Sequence, residues 1–239
     1  MKRVLTIVVC LVFAARMSAA GEVTVAVASN FLPVAERLTA DFERISGHDV
    51  QLSHGSTGQI YALLSRGAPF DIFLSADAER PERLIEDGLA VESKTYALGK
   101  LVLVSRSEID PETLGDAMAG KGVALADPTL APYGLAATSA MENLQLDTST
   151  FQPLPVANVG QAATLFTTGN ADFAFVAASL LSLINAPHEF PLEGRHPPIR
   201  QDAAFMRQAE GNEAATEFWA FLTSTEAQAR IRAGGYDLP

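Results

Sequence analysis

Residues 55–77 read GSTGQIYALLSRGAPFDIFLSAD, and the order of features in this stretch decides the fold. Gly55-Ser56-Thr57-Gly58 is a loop of small and hydroxylated residues that opens a helix, QIYALLSRG. Such residues suit a helix start, because their side-chain oxygens accept from the unpaired N–H groups of the first turn. Phe70 to Ala76, FDIFLSA, is a compact apolar run of strand length. Working outward, Val50 to Leu52 reads as a strand before the loop and ERPERLIEDG as a helix after the apolar run. Further upstream, Glu22 to Ala28 (EVTVAVA) alternates and is rich in valine, the mark of a strand. FLPVAERLTADFERI carries apolar residues at helical spacing, with Ser29-Asn30 as capping side chains before it and Gly47 as its stop. Strand, helix, strand, helix, strand with short loops predicts a mostly parallel sheet covered on both faces.

The second half repeats the theme. Lys100 to Ser105 begins a new run after Gly99, and Val123 to Ala126, Val156-Ala157 and Asp172 to Ala177 read as strands. Gly134 to Leu144, Gly160 to Thr167 and Ser179 to Ile184 read as helices between and after them. His188 to Pro198 is a Pro-rich charged loop, and Glu213 to Ala233 one amphipathic helical stretch. The expected architecture is α/β with two lobes: residues 21–99 plus 204–239 form the first, and 100–203 the second. The chain then crosses near residues 99 and 203, which suits a hinge, with a ligand in the cleft at the strands' carboxyl ends.

Met1-Lys2-Arg3, the apolar run Val4 to Ala15 and the small residues Ser18-Ala19-Ala20 follow the layout of a secretory signal peptide over 1–20. The apolar run is too short to cross a bilayer core of ~30 Å as a helix, which weighs against a permanent anchor. Periplasmic export is the expectation. The single cysteine, Cys10, lies inside that run, so the rest of the chain has no disulfide, thiolate metal site or cysteine nucleophile. The formal net charge is −11, and loss of Lys2, Arg3 and Arg16 makes it more acidic still. Such a surface argues against nucleic acid and against an anionic membrane face.

Four loops place small or hydroxylated residues where a helix is predicted to begin: Ala28-Ser29-Asn30-Phe31, Gly55-Ser56-Thr57-Gly58, Ala131-Pro132-Tyr133-Gly134 and Asn158-Val159-Gly160-Gln161. Helix N-termini hold anions through backbone N–H groups and a partial positive charge, without any cation. The hydroxyls of Ser29, Ser56, Thr57 and Tyr133 and the amide of Asn30 add donors. Glycines 55, 58, 134 and 160 permit close backbone approach. None of these loops holds Lys or Arg. A donor-only ring suits a fully ionised oxyanion, whereas hydrogen phosphate would also need an acceptor for its proton.

VAVASNF, GSTGQIYALLSRGAPFDIFLSAD, LADPTLAPYGLAA and NVGQAATLFTTGNADFAFVA, in this order and spacing, resemble the periplasmic molybdate-binding proteins of ABC importers. That group lies within the wider family of two-lobed solute-binding proteins, and the likeness runs over nearly all of the chain after residue 20. The resemblance implies a type II-like two-lobed fold with the ligand between the lobes. It implies molybdate or tungstate as transported ligand, no cofactor, no catalysis and a membrane permease as partner; a monomer is the default expectation. Residue by residue it implicates Ser29 and Asn30, one member of the Ser56-Thr57 pair, Tyr133, and Val159 through its backbone N–H. Some members place a tyrosine after the strand that here reads DFAFVA; Ala177 stands there, leaving that role to Tyr133.

Competing readings are a binding protein for sulfate or thiosulfate, a secreted enzyme, and a sensor lobe. Ser56 sits in no G-x-S-x-G elbow, which weighs against the enzyme. His188 and His196 have no metal-ligand spacing. Asp71 and Asp77 suit turns and caps, and Trp219 with Phe218 and Phe221 suits core packing.

Overall fold

The computed structural model describes residues 20–108 and 110–239. The expected leader, apart from Ala20, lies outside them.

Two five-stranded sheets divide the chain. The first holds β1 (Glu22–Ala28), β2 (Asp49–Gly55), β3 (Ile72–Leu74), β4 (Ala90–Gly99) and β10 (Ile199–Met206), in the order β2-β1-β3-β10-β4. The second holds β5 (Leu101–Ser105), β6 (Gly122–Ala126), β7 (Gln152–Val156), β8 (Phe173–Ala177) and β9 (His188–Pro191), in the order β7-β6-β8-β5-β9. β1 runs parallel to β2 and β3, whereas β10 is antiparallel to β3 and β4. In the second sheet β6 is parallel to β7 and β8, and β5 is antiparallel to β8 and β9. Each sheet therefore has one reversed strand, and β5 and β10 are the strands that follow the two crossings.

The alternation seen in EVTVAVA sorts the first core by faces. Val23, Val25 and Val27 pack with Leu38 and Phe42 of α1 (Leu32–Ser46) and with Phe218 and Trp219 of α7 (Glu213–Phe221). Ala26 points to the opposite face, among Ile60 and Leu64 of α2 (Thr57–Leu64) and Leu84 of α3 (Glu79–Glu86). Each buried valine contributes about 1.5–3 kcal/mol relative to an exposed one. The second core is one cluster under α5 (Pro132–Asn143) and α6 (Val159–Thr167), with α4 (Leu114–Met118) at its edge. Among the described residues no helix is long and apolar enough to cross a membrane.

Several local expectations need correction. β4 replaces an unassigned stretch, because Glu92, Ser93, Lys94 and Thr95 give an edge strand no apolar run. β10 begins at Ile199 and pairs with β3 and β4, so residues 199–203 join the first sheet, not the second lobe. His188–Pro191 pairs with β5 as a strand inside the expected loop. Ser179–Ile184 becomes a 3-10 helix, Ala178–Leu183. The C-terminal stretch breaks into α7 and α8 (Thr225–Ala233), since the Ser224 side chain accepts from the Ala227 N–H and starts a new helix.

Candidate functional site

The four expected loops meet between the sheets. Ser29, Asn30, Ser56, Thr57, Tyr133 and Val159 all line one small hollow, together with Ala28, Gly55, Ala76, Ala131, Pro132 and Asn158. None of the six is more than 9% exposed.

Each loop reaches the hollow by its own local chemistry. Ser56 is the extended N-cap of α2 in a reciprocal box: its Oγ accepts from Gln59 N–H, and Gln59 Oε1 accepts from Ser56 N–H. That leaves the Ser56 hydroxyl proton and the Thr57 N–H without a protein partner, while Thr57 Oγ1 accepts from Ala76 N–H. Both members of the pair therefore face the hollow with a donor to spare. Asn158 Oδ1 caps α6 by accepting from Gln161 N–H, leaving the Val159 N–H free. Pro132 starts α5 with no N–H to satisfy, and Tyr133 N–H follows it unpaired.

The first loop works differently from its expectation. Phe31, not Ser29 or Asn30, occupies the N-cap of α1, and no side chain caps it. Asn30 Nδ2 instead donates to Gln201 Oε1 and to the Tyr236 hydroxyl, each at 2.9 Å. Asn30 O accepts from Ser179 Oγ and the Tyr236 hydroxyl, each at 2.8 Å. Both hydrogens of the Asn30 amide are thus used in holding the loop, and its backbone N–H is the donor that remains for a guest. Gln201, Tyr236, Ser179 and Tyr96, whose hydroxyl lies 3.1 Å from Gln201 Oε1, were not singled out by the sequence.

The Tyr133 hydroxyl accepts from Gln201 Nε2 at 3.1 Å. Burial foremost, then the neighbouring Tyr236, pushes the Tyr133 phenol well above its ordinary pKa, so it stays protonated as a donor. Donors available to a guest are then the N–H groups of Asn30, Thr57, Tyr133 and Val159 and the hydroxyls of Ser29, Ser56, Thr57 and Tyr133. Among the described residues lining the hollow there is no Lys, Arg, His, Asp or Glu.

The lobes are closed on each other. Gly58 N–H donates to Leu130 O at 2.8 Å, Arg80 Nη2 to Thr129 O at 3.2 Å, and Gly160 N–H faces Ser29 Oγ at 3.5 Å. Of the expected close approaches, Gly58 meets Leu130 across the cleft, Gly160 meets Ser29, and Gly134 packs α5 onto Ala126 at the end of β6. Gly55 makes only ordinary contacts. Two wider depressions, of about 430 and 270 Å³, flank the hollow at the interlobe seam. They are mainly apolar and lack the convergent free donors, so the small hollow is the chemically competent one.

The remaining candidates have structural partners. Asp71 accepts from the N–H and hydroxyl of Thr24, Asp77 pairs with Arg80, and Trp219 lies in the first core. Among the described residues no group of three or more His, Cys, Asp or Glu comes together as a metal site.

The family model for bacterial extracellular solute-binding proteins matches residues 23–237. The chain belongs to that family. This solute-binding protein is 39% identical to the molybdate-binding protein ModA of Rhodobacter capsulatus, over 92% of its own length and 89% of the relative's. It is 37% identical to ModA of Azotobacter vinelandii, over 92% and 91% of the two chains. The solved structure of the Azotobacter vinelandii periplasmic molybdate-binding protein superposes with a TM-score of 0.84 at 34% identity, over 91% of this chain and 99% of that one. The two-lobed fold is shared, and the chain is a binding protein rather than an enzyme.

Proposed function

We propose that this solute-binding protein captures molybdate, and tungstate as well, outside the cytoplasm and hands it to the membrane permease of an ABC importer. One observation carries the reading: uncharged donors from four loops on two lobes surround one hollow that, among the described residues, has no charged side chain in its lining. A buried divalent anion is costly to desolvate, and about two donors to each of its oxygens offset that cost. The available N–H and hydroxyl groups supply that density. Relatives named for molybdate support the choice of guest.

The mechanism is a trap. Ser29, Asn30, Ser56 and Thr57 belong to the first lobe, and Tyr133 and Val159 to the second. A ligand that touches both sets only in the closed form shifts the population toward closure, and the closed form docks on the permease. Sulfate has the same charge and shape but shorter bonds. A donor ring set for a larger anion leaves its hydrogen bonds stretched, so size excludes it. In this reading the protein is exported by its 1–20 leader, works as a monomer in the periplasm and carries no cofactor.

Titration calorimetry with sodium molybdate, tungstate, sulfate, thiosulfate and phosphate tests the reading. Molybdate and tungstate bind at micromolar Kd or tighter, with sulfate at least 100-fold weaker. Equal competition by sulfate or thiosulfate assigns the hollow to another oxyanion.

A further inference from the structure

We infer that Gln201 is a positioning residue that turns Tyr133 into a donor toward the hollow and so tunes the site for anions that carry no proton. The inference rests on the oxyanion reading above and names a further determinant of the same site. A primary amide has an accepting oxygen and a donating nitrogen, and its neighbours decide which way each one faces. Gln201 is 0% exposed, in β10, just after the chain has returned to the first lobe. Its Oε1 accepts from Asn30 Nδ2 at 2.9 Å. The Tyr96 hydroxyl lies against the same oxygen at 3.1 Å, sharing its proton with Ser75 O at 2.9 Å.

With the oxygen occupied, Nε2 faces the opposite way and donates to the Tyr133 hydroxyl at 3.1 Å. A phenol oxygen that accepts from an amide keeps its single proton for another partner. Tyr133 lines the hollow, and the Tyr236 oxygen beside it can share that proton, so a guest in the hollow competes with Tyr236 for it. Asn30 is locked in the same sense, since both hydrogens of its amide go to Gln201 and Tyr236. From Asn30 the donors run outward, to Tyr236 on one side and through Gln201 to Tyr133 of the second lobe on the other. A guest with its own proton would meet a donor where it needs an acceptor.

The test is a double-mutant cycle read as molybdate Kd on the full-length exported protein. Gln201→Met and Tyr133→Phe each weaken binding roughly ten-fold or more, the worth of a hydrogen bond to a charged group. The double variant binds within about two-fold of Tyr133→Phe alone, because Gln201 acts through a hydroxyl that is already gone. A purely structural role would make the losses multiply, which overturns the inference, as does wild-type affinity in Gln201→Met. If Gln201→Met does not melt cooperatively, Gln201→Glu carries the same cycle, being of equal shape but accepting at both positions. A wild-type protein that ignores molybdate sinks the oxyanion reading instead, so the two failures are distinguishable.

Discussion

A Cβ placed on Gly99 would lie 2.3 Å from the Tyr133 hydroxyl and 2.6 Å from Gln201 Nε2. Gly99 ends β4, one residue before the chain enters the second lobe, so the closed cleft is packed directly against the crossing. Its φ is not in the left-handed region, and alanine suits its backbone. Gly99→Ala therefore opposes closure at Tyr133 and displaces the end of the Gln201 side chain within the first lobe, leaving the backbone of each lobe in place. The expected result is molybdate affinity reduced ten-fold or more with an unchanged far-ultraviolet circular dichroism spectrum.

Gly58→Ala separates stability from affinity. Its Cβ would meet Leu130 O at 3.0 Å and Leu130 Cα at 3.2 Å, both backbone atoms of the opposite lobe. In the open form only the flexible end of Arg80, whose Nη2 would lie 3.3 Å from the same Cβ, remains beside it, and alanine in a helix is favoured over glycine by up to ~1 kcal/mol. The ligand-free melting temperature stays level or rises while binding weakens. A fall in both together would mean that residue 58 is not at a closing face.

Ser29 and Ser56 offer the hollow the same group but differ in their other duties. Ser56 Oγ caps α2, whereas Ser29 Oγ accepts only the long 3.5 Å approach of Gly160 N–H. Ser56→Ala costs about 1 kcal/mol of stability as well as affinity. Ser29→Ala costs affinity alone. Urea denaturation alongside calorimetry distinguishes the two.

Lys94 gives the fold a pH dependence. Burial drives its pKa down to about 8, although the Trp219 carbonyl and ring and the nearby Glu92 favour the ammonium. Because the folded pKa lies below the unfolded value of about 10.4, the unfolded chain holds more protons between the two. The Lys94 contribution to stability therefore improves as pH rises through that window. Denaturation midpoints of wild type and Lys94→Met, compared at pH 7.5 and 9.5, move apart in favour of wild type at the higher pH.

Where local pattern and burial coincide, the sequence was readable. EVTVAVA occupies the predicted strand residue for residue, and all four loops reach the same hollow. β4 was not readable, because an edge strand with Glu92, Ser93 and Lys94 needs no apolar run. The roles of Asn30, Gln201 and Tyr236 were hidden for another reason. Their bonds join positions 171 and 206 residues apart, and no spacing rule encodes such a meeting. Gln201 and Asp202 do interrupt the apolar β10, but that signal is visible only once the strand is known.

Among the described residues the lining of the hollow has no Asp, Glu, His, Lys or Arg, and burial keeps the Tyr133 phenol protonated. Filling it with a guest that is already fully ionised should neither release nor take up hydrogen ions. The measured heat would then be the same in Tris as in phosphate-free buffers of small ionisation enthalpy, and the dissociation constant flat from pH 6 to 9. Capture would proceed unaltered while the surroundings acidify or turn alkaline, a useful indifference for a scavenger working outside the buffered cell interior.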